Sequence, residues 1–432
     1  MMNRKEAPVI AFFPEASFGA ALNCVGIAQE LRAMGAHPVF LTHGGFGGVF
    51  ADYGFDEFAV PVQSELTEEE TQTYWQEFLS HHLPHFNMHP TDQLTTYVEP
   101  VWNAIVETAE SVEQGLETAL ERINPDVVVL DNVIMFPAIV RSECPWVRVI
   151  SCAETELPDN CLPPYLSGLP ASDAAGCAAF RDQYLETLGP IHARYNKFRQ
   201  DKGLELLPEG EFLETSPHQN LLLAPSIIRH DRDQVLDSGQ FTFLEGCVRQ
   251  EGPYRVPQMP RNNGPLVYVS FGSLGAMDVS FFESLFDVFK TLDMRFLINV
   301  GAQIDAYSRV PDNVHLQEWF PQPSVVEQCD LFIHHGGNNS FCEALYFGVP
   351  SLILPYCWDG HDNAQRAVET SVGLRLNRWD WTTEQLENAI NQLLGDAEMK
   401  SRLAANSEVM QLRKSVQLAA QKILDCVNPN RI

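Results

Sequence analysis

Short apolar runs that alternate with helical segments constrain the fold of this chain more than any other feature. VIAFFP (residues 9–14) is a β-rich run, and AHPVFLTH (36–43) is a second one. Between them, NCVGIAQELRAMG (23–35) spaces its apolar residues at the helical period and ends in Gly. A strand, a helix and a strand in this order form a βαβ unit, which makes a parallel sheet with a right-handed crossover. The pattern predicts an α/β fold.

The same alternation continues along the first half of the chain. PDVVVLDN (125–132) and WVRVISC (146–152) predict further strands, and NLLLAPS (220–226) predicts the last strand of this half. The intervening segments are polar and mostly helical, and the one from residue 65 to 122 is rich in aromatic side chains. These aromatic residues suit an apolar or aromatic small ligand, and they equally suit the packing of helices.

A break in composition separates the two halves. Residues 250–264, QEGPYRVPQMPRNNG, concentrate Pro, Gly and Asn, which is typical of a linker. After it the strand and helix alternation restarts, and 432 residues are too many for one ordinary core. We therefore predict two doubly wound parallel-sheet domains with a cleft between them. Their bounds are residues 1–245, a linker at 246–264, residues 265–410, and a C-terminal helix at 411–432 that packs back on the first domain.

Charge and composition exclude several classes of function. The chain has 28 basic and 57 acidic residues and a formal net charge of −29, which argues against nucleic acid or an anionic membrane as a partner. No apolar run approaches the ~20 residues that span a bilayer. Ten scattered cysteines without metal-like spacing favour a reduced, cytoplasmic protein with no metal site. The sequence gives no indication of an oligomeric state.

The predicted strands of the second half all end in unusual polar residues. SFGS (270–273) ends the first of these strands, WFPQ (319–322) follows another, HHGGNNS (334–340) ends the next, and WDGHDN (358–363) comes after the fourth. In open parallel sheets, ligands bind at the carboxyl ends of the strands. Core packing alone would not require polar residues at all four ends, so the pattern predicts a binding site there.

The HHGGNNS segment has the chemistry of an anion site. Gly336 and Gly337 allow the backbone to approach a ligand closely, and the predicted helix from Asn338 directs its N–H groups and positive dipole end toward the same place. His335 can donate to a phosphate. Any one of these residues could be purely structural, but their combination at this spacing favours a nucleotide site. Further donors, a carboxylate for two ribose hydroxyls and a flat face for a base would come from Asn339, Ser340, Glu343 and Trp319.

At these residues the chain resembles the family 1 glycosyltransferases, the UDP-glycosyltransferase superfamily, in its bacterial natural-product branch. WFPQ, HHGGNNSFCEAL, GVPSLILP and DGHDN match the donor signature of that family. The resemblance implies a GT-B fold and an inverting, metal-independent hexosyl transfer that uses no cofactor, from a UDP- or dTDP-sugar to a small acceptor. It implies that Trp319 stacks on the base. The other implied donor residues are Gln322 and Glu343 for ribose, Ser273, His335, Gly337, Asn339 and Ser340 for the diphosphate, and Asp359 with Gly360 for the sugar.

The sequence departs from the family at the catalytic base. Where the family has a His after the first strand, this chain has Ala20, and an alanine cannot accept a proton. The candidates that could replace it are Asp131, His43 and Glu15, since each lies at a strand end or in the same loop. The missing His leaves a second hypothesis open, a non-catalytic relative that binds a nucleotide-sugar and transfers nothing.

A second departure lies at Gly360, where the family usually has Gln. Loss of that side chain removes a hydrogen-bonding group from the sugar subsite and should open space. We therefore expect a donor other than UDP-glucose, for example a deoxy, amino or N-acetyl sugar.

Overall fold

The computed structural model describes residues 7–43, 46–62, 73, 77, 78, 80–260 and 264–427. Within these residues the chain forms two parallel sheets, each flanked by helices, as the alternation predicts. Tyr74 and Trp75, two aromatic residues of the segment from 65 to 122, lie outside the described residues.

The first sheet has seven parallel strands in the order β3-β2-β1-β4-β5-β6-β7. Two of these strands were not predicted, β3 and β7. The sequence of β3, DEFA, has no apolar run, and all four of its residues are at least partly exposed. The strand predicted at 220–226 is present as β6, but the prediction that it is the last strand of this half is wrong, because β7 follows it. The bounds are β1 (Val9–Pro14), β2 (His37–Thr42), β3 (Asp56–Ala59), β4 (Val127–Asp131), β5 (Trp146–Ile150), β6 (Gln219–Leu223) and β7 (Phe241–Leu244).

Helices of the first half cover both faces of this sheet. The first begins at Phe18, five residues before the predicted start, so that Asn23 lies inside the helix and is buried. Only a short segment, residues 15–17, separates β1 from that helix. The helices are α1 (Phe18–Ala33), α2 (Pro90–Gln93), α3 (Glu99–Ile123), α4 (Pro137–Arg141) and α5 (Ala174–Asp201).

The second sheet has six parallel strands in the order β10-β9-β8-β11-β12-β13. In each sheet the strand order reverses beside the first strand, between β1 and β4 in one sheet and between β8 and β11 in the other. A crevice opens at such a point. The strands are β8 (Leu266–Ser270), β9 (Arg295–Asn299), β10 (Val314–Gln317), β11 (Leu331–His334), β12 (Ser351–Ile353) and β13 (Gly373–Arg375). The helices are α6 (Gly272–Gly275), α7 (Val279–Phe289), α8 (Gln322–Val326), α9 (Asn338–Phe347), α10 (Gly360–Glu369), α11 (Thr383–Gly395), α12 (Ala397–Arg413) and α13 (Ser415–Asp425).

Helix α13 leaves the second sheet and packs on the first. Its buried side chains Ala419, Ala420 and Ile423 share a core with α1 and with strands of the first sheet. At its start, the Ser415 hydroxyl accepts a hydrogen bond of 2.8 Å from the backbone N–H of Glu245. The first domain is therefore built from two separate stretches of chain. No helix within the described residues is long and apolar enough to cross a membrane.

Candidate active site

The loops at the carboxyl ends of the second sheet bring three of the predicted donor segments into contact. The His335 ring lies against the turn that contains exposed Ser273, since a Cβ on Gly272 would come within 3.1 Å of it. The carboxylate of Asp359, at the start of α10, accepts a hydrogen bond of 3.0 Å from the N–H of Asn338. These three strand ends therefore form one surface.

His335 is held as a neutral imidazole. Its ring stacks on Tyr356 at 5.1 Å between centroids, and burial lowers its pKa to about 4. Its Nδ1 has no hydrogen-bond partner within the described part of the chain. Its neighbour His334, buried in β11, instead accepts a bond from the N–H of Gly336. An uncharged ring with an unused nitrogen can bond to a phosphate oxygen without bringing a charge into the site.

The turn after β11 and the start of α10 approach each other too closely for side chains. Gly336 has φ +90°, and a Cβ there would lie 2.6 Å from the carbonyl oxygen of Gly360. A Cβ on Gly360 would lie 2.4 Å from the carbonyl oxygen of His335. The expectation that Gly360 opens space in the sugar subsite is therefore wrong, because backbone fills that position.

Two side chains that sequence reasoning missed join the donor loops to the first domain. The amide of Asn338 donates to the carbonyl oxygens of Ser151 (3.0 Å) and Leu223 (2.9 Å). The Asp362 carboxylate accepts three bonds from the first domain. Its donors are the Thr155 hydroxyl at 2.6 Å and the backbone N–H groups of residues 166 and 168, both at 2.8 Å. Both residues stand within the motifs, and only their contacts across the cleft distinguish them from their neighbours. These bonds close the cleft in this structure.

The predicted ribose residues lie side by side. The Gln322 amide donates to Glu343 Oε2 at 2.7 Å and to the Ser340 hydroxyl at 3.1 Å. Glu343 is 1% exposed and also receives a bond of 2.8 Å from Arg249, a linker residue that no sequence pattern singled out. Asn339, the remaining predicted donor of this helix, is half-buried in its first turn.

Trp319 stands at the outer end of this surface with 46% of its side chain exposed. Its ring lies 5.4 Å from that of Phe18, at the start of α1 across the cleft. The exposure argues against the alternative that Trp319 is a core residue. It leaves ring surface on which a base can stack.

Four carboxyl groups lie close together in the middle of the cleft, those of Glu15, Asp131, Glu156 and Asp359. Burial raises the pKa of Asp131 to about 8, the Ser151 hydroxyl that donates to it at 2.7 Å opposes the rise, and the charge of Glu15 adds to it. Burial likewise raises the pKa of Glu156 to about 8 and that of Asp359 to about 7. No motif pointed to Glu156. The four groups are coupled, because the charge of Glu15 adds to the rise in the pKa of each of the other three.

Glu15 and His43, the other two candidate bases, line one small pocket with Phe46 and Phe50. Burial raises the pKa of Glu15, while the Ser17 hydroxyl that donates to it at 3.2 Å opposes the rise. Burial lowers the pKa of His43 to about 4, and its Nε2 has no partner among the described residues. A base of such low pKa is weak, so Glu15 is the stronger candidate of the two.

The described aromatic residues of the segment from 65 to 122 pack against other side chains. Trp102 is buried and stacks on Phe212 at 4.0 Å, and Phe86 packs at 4.6 Å on Tyr356 of the second domain. Here the alternative of helix packing accounts for the pattern. In the part of the chain that the structure describes, no three His, Cys, Asp or Glu side chains converge as ligands of a metal ion.

The amino-acid sequence of this chain is similar to those of known glycosyltransferases. Residues 283–419 match the family model of the erythromycin biosynthesis protein CIII-like C-terminal domain. The NDP-glycosyltransferase YjiC of Bacillus subtilis is 28% identical over 203 residues, 46% of this chain and 51% of the relative. The demethyllactenocin mycarosyltransferase of Streptomyces fradiae is 22% identical over 91% of this chain and 81% of the relative. The chain thus spans about half the length of the Bacillus relative that it matches.

The crystal structure of glycosyltransferase VinC in complex with dTDP superimposes with a TM-score of 0.65 and 18% identity, covering 97% of this chain and 99% of the other. The two parallel-sheet domains and their cleft therefore define a GT-B fold. Within that class, the chain is similar to bacterial glycosyltransferases, among them proteins of antibiotic biosynthesis.

Proposed function

We propose that this protein transfers a sugar from a UDP- or dTDP-linked donor to a small acceptor, with inversion and without a metal ion. The observation that carries the proposal is the meeting of Ser273, His335 and Asp359 on one surface, beside the start of α9. Relatives support the donor class, since one is named an NDP-glycosyltransferase and a protein of the same fold was solved with dTDP.

The donor loops supply what a diphosphate needs in a strongly acidic protein. The first turn of α9 presents its positive dipole end, and the neutral His335 ring adds a bond without a counter-charge. Burial in the cleft strengthens these interactions, because less water screens them. We assign Asp359 to the sugar hydroxyls and the exposed ring of Trp319 to the base.

Transfer requires a base that takes the proton from the hydroxyl of the sugar acceptor. The acceptor oxygen attacks C1 of the sugar, the bond from C1 to the phosphate oxygen breaks, and the nucleoside diphosphate leaves with the bond electrons. We assign the acceptor's proton to Glu15. The charge of Glu15 adds to the rise in the pKa of Asp131, so we assign the proton of this pair to Asp131 and its charge to Glu15.

Ala20 favours a second candidate, a relative that binds the nucleotide-sugar without transferring it. Ala20 is buried in the first turn of α1, where it offers neither a base nor a hydrogen bond. Both candidates require a working nucleotide site. They differ only in whether labelled sugar leaves the donor when an acceptor is supplied.

We expect UDP or dTDP to stabilise the native chain in a thermal melt. A ligand at 100 times its dissociation constant adds about 2.7 kcal/mol, which gives a shift of a few degrees. Trp319→Ala should lose most of this shift because the base loses its stacking partner, and His335→Ala should lose it because the phosphate loses a bond. Trp102→Phe, in the core behind the site, is the matched control and should keep the shift. No stabilisation of the native chain by any nucleotide would refute both candidate functions.

A further inference from the structure

The linker contributes a side chain to the predicted ribose subsite. Arg249 is 3% exposed, and its Nη1 donates to Glu343 Oε1 at 2.8 Å. Its Nε donates to Glu251 at 2.6 Å, and Glu251 also accepts a bond of 2.8 Å from the Tyr53 hydroxyl. Arg249 is thus fixed from both sides, by a carboxylate of the second domain and by a pair that includes a residue of the first.

This ion pair favours the charged form of Glu343. Burial raises the pKa of Glu343, whereas the charge of Arg249 and the bonds from Arg249 and Gln322 oppose the rise. A carboxylate as enclosed as this one would otherwise take up a proton, because a lone buried charge is costly. The positive charge of Arg249 stabilises the ionised form of Glu343. Hydrogen bonds to an ionised acceptor are about twice as strong as neutral ones.

The hydrogen-bond count leaves room for a ligand. A carboxylate has about four acceptor positions, and Glu343 uses one for Arg249 and one for Gln322. The two unused positions match the two adjacent hydroxyls of the ribose in a UDP-linked donor, whereas the deoxyribose of dTDP offers only one. Because Glu343 is 1% exposed, binding of a ribose to it requires the covering side chains to move.

We propose that Arg249 is a positioning residue that orients Glu343 and keeps it charged so that it reads the hydroxyls of the donor's ribose. This inference rests on the proposed nucleotide site. It adds that the linker between the domains, and not the donor domain alone, determines how the nucleoside is recognised.

The test compares two probes, UDP and 2′,3′-dideoxyuridine diphosphate, by calorimetric titration of the full chain. We expect the native protein to prefer UDP by about tenfold or more, since hydrogen bonds to a charged group are at stake. Arg249→Gln should reduce this preference to about threefold or less and leave the affinity for the dideoxy probe nearly unchanged. Arg249→Lys is the matched control, because it keeps a charge beside Glu343 and should keep most of the preference.

Each outcome decides the question, provided that a thermal melt shows each variant to be folded. An Arg249→Gln protein that still prefers UDP as strongly as the native one would overturn the inference. So would a native protein that binds both probes equally well, which would leave the nucleotide site itself intact. A native protein that binds dTDP but neither probe would also overturn the inference, and one that binds none of the three nucleotides would refute the proposed function instead. Glu343→Gln removes the carboxylate that recognises the ribose hydroxyls. In the double variant, Arg249→Gln should not reduce the preference for UDP any further.

Discussion

Glu15→Gln should abolish most of the sugar transfer while leaving donor binding intact. The amide cannot accept the acceptor's proton, and loss of a general base typically costs about 10²- to 10⁴-fold in rate. The side chain stays the same size, and Gln can still accept a hydrogen bond from the Ser17 hydroxyl. The measurement is kcat with a turned-over donor, beside the dissociation constant for the nucleoside diphosphate, which should change by less than about threefold.

Asp131→Asn is the matched control for this prediction. Asparagine resembles the protonated acid that the raised pKa of Asp131 implies near neutral pH, and its oxygen can still accept from Ser151. We expect its rate to stay within about tenfold of the native rate. A loss as large as that of Glu15→Gln would move the base to Asp131.

The pH dependence follows from the same assignment. The native rate should fall as the pH drops through the raised pKa of Glu15, because protonation removes the base. Asp131→Asn should keep this acid limb. Glu15→Gln should lose it, and an unchanged acid limb in that variant would argue against the assignment.

Gly336→Ala should destabilise the protein severely. Its φ of +90° is strained for alanine, and the added Cβ would lie 2.6 Å from one backbone oxygen and 2.8 Å from Ile353 Cγ2. Strain and overpacking of this kind should lower the free energy of unfolding by about 2–4 kcal/mol. A denaturant titration, or a melting temperature where unfolding is irreversible, measures the effect.

Gly395→Ala is the control for this effect, since a Cβ there meets nothing within 4 Å and the residue is helical. Its stability should change by less than about 1 kcal/mol. Gly360→Gln, which restores the residue usual in the family, should behave like Gly336→Ala, because its Cβ meets the His335 carbonyl oxygen at 2.4 Å. Native-like stability in both loop variants would mean that the two loops can separate at little cost.

The sequence predicted the features that local pattern determines. Strand β1 and the start of α9 at Asn338 have the predicted bounds, because apolar runs and helix starts are short-range signals. Strand β7 was missed, because Phe241–Leu244 is short and follows a polar segment. Its place in the sheet depends on pairing with β6, and no local sequence pattern indicates that pairing.

The sequence predicted which loops meet at the ends of strands, and it failed where distant segments meet. The contact between the loops of His335 and Asp359 was predicted because strand ends converge in any parallel sheet. Arg249 and Glu156 could not be found in this way, since each gains its importance from carboxylates that are remote in sequence. Gly360 was misread for the same reason, because the carbonyl oxygen that fills its space belongs to another loop.

The split construction of the first domain has a consequence for biosynthesis. Glu245 and its partner Ser415 are 170 residues apart, which ribosomes take roughly 10–30 seconds to translate. Throughout that interval the face of α1 that receives Ala419 and Ile423 lacks its cover, whereas the second sheet and its helices follow one another without interruption. The second domain can therefore complete its core first, and the nascent first domain exposes an apolar surface until α13 is synthesised.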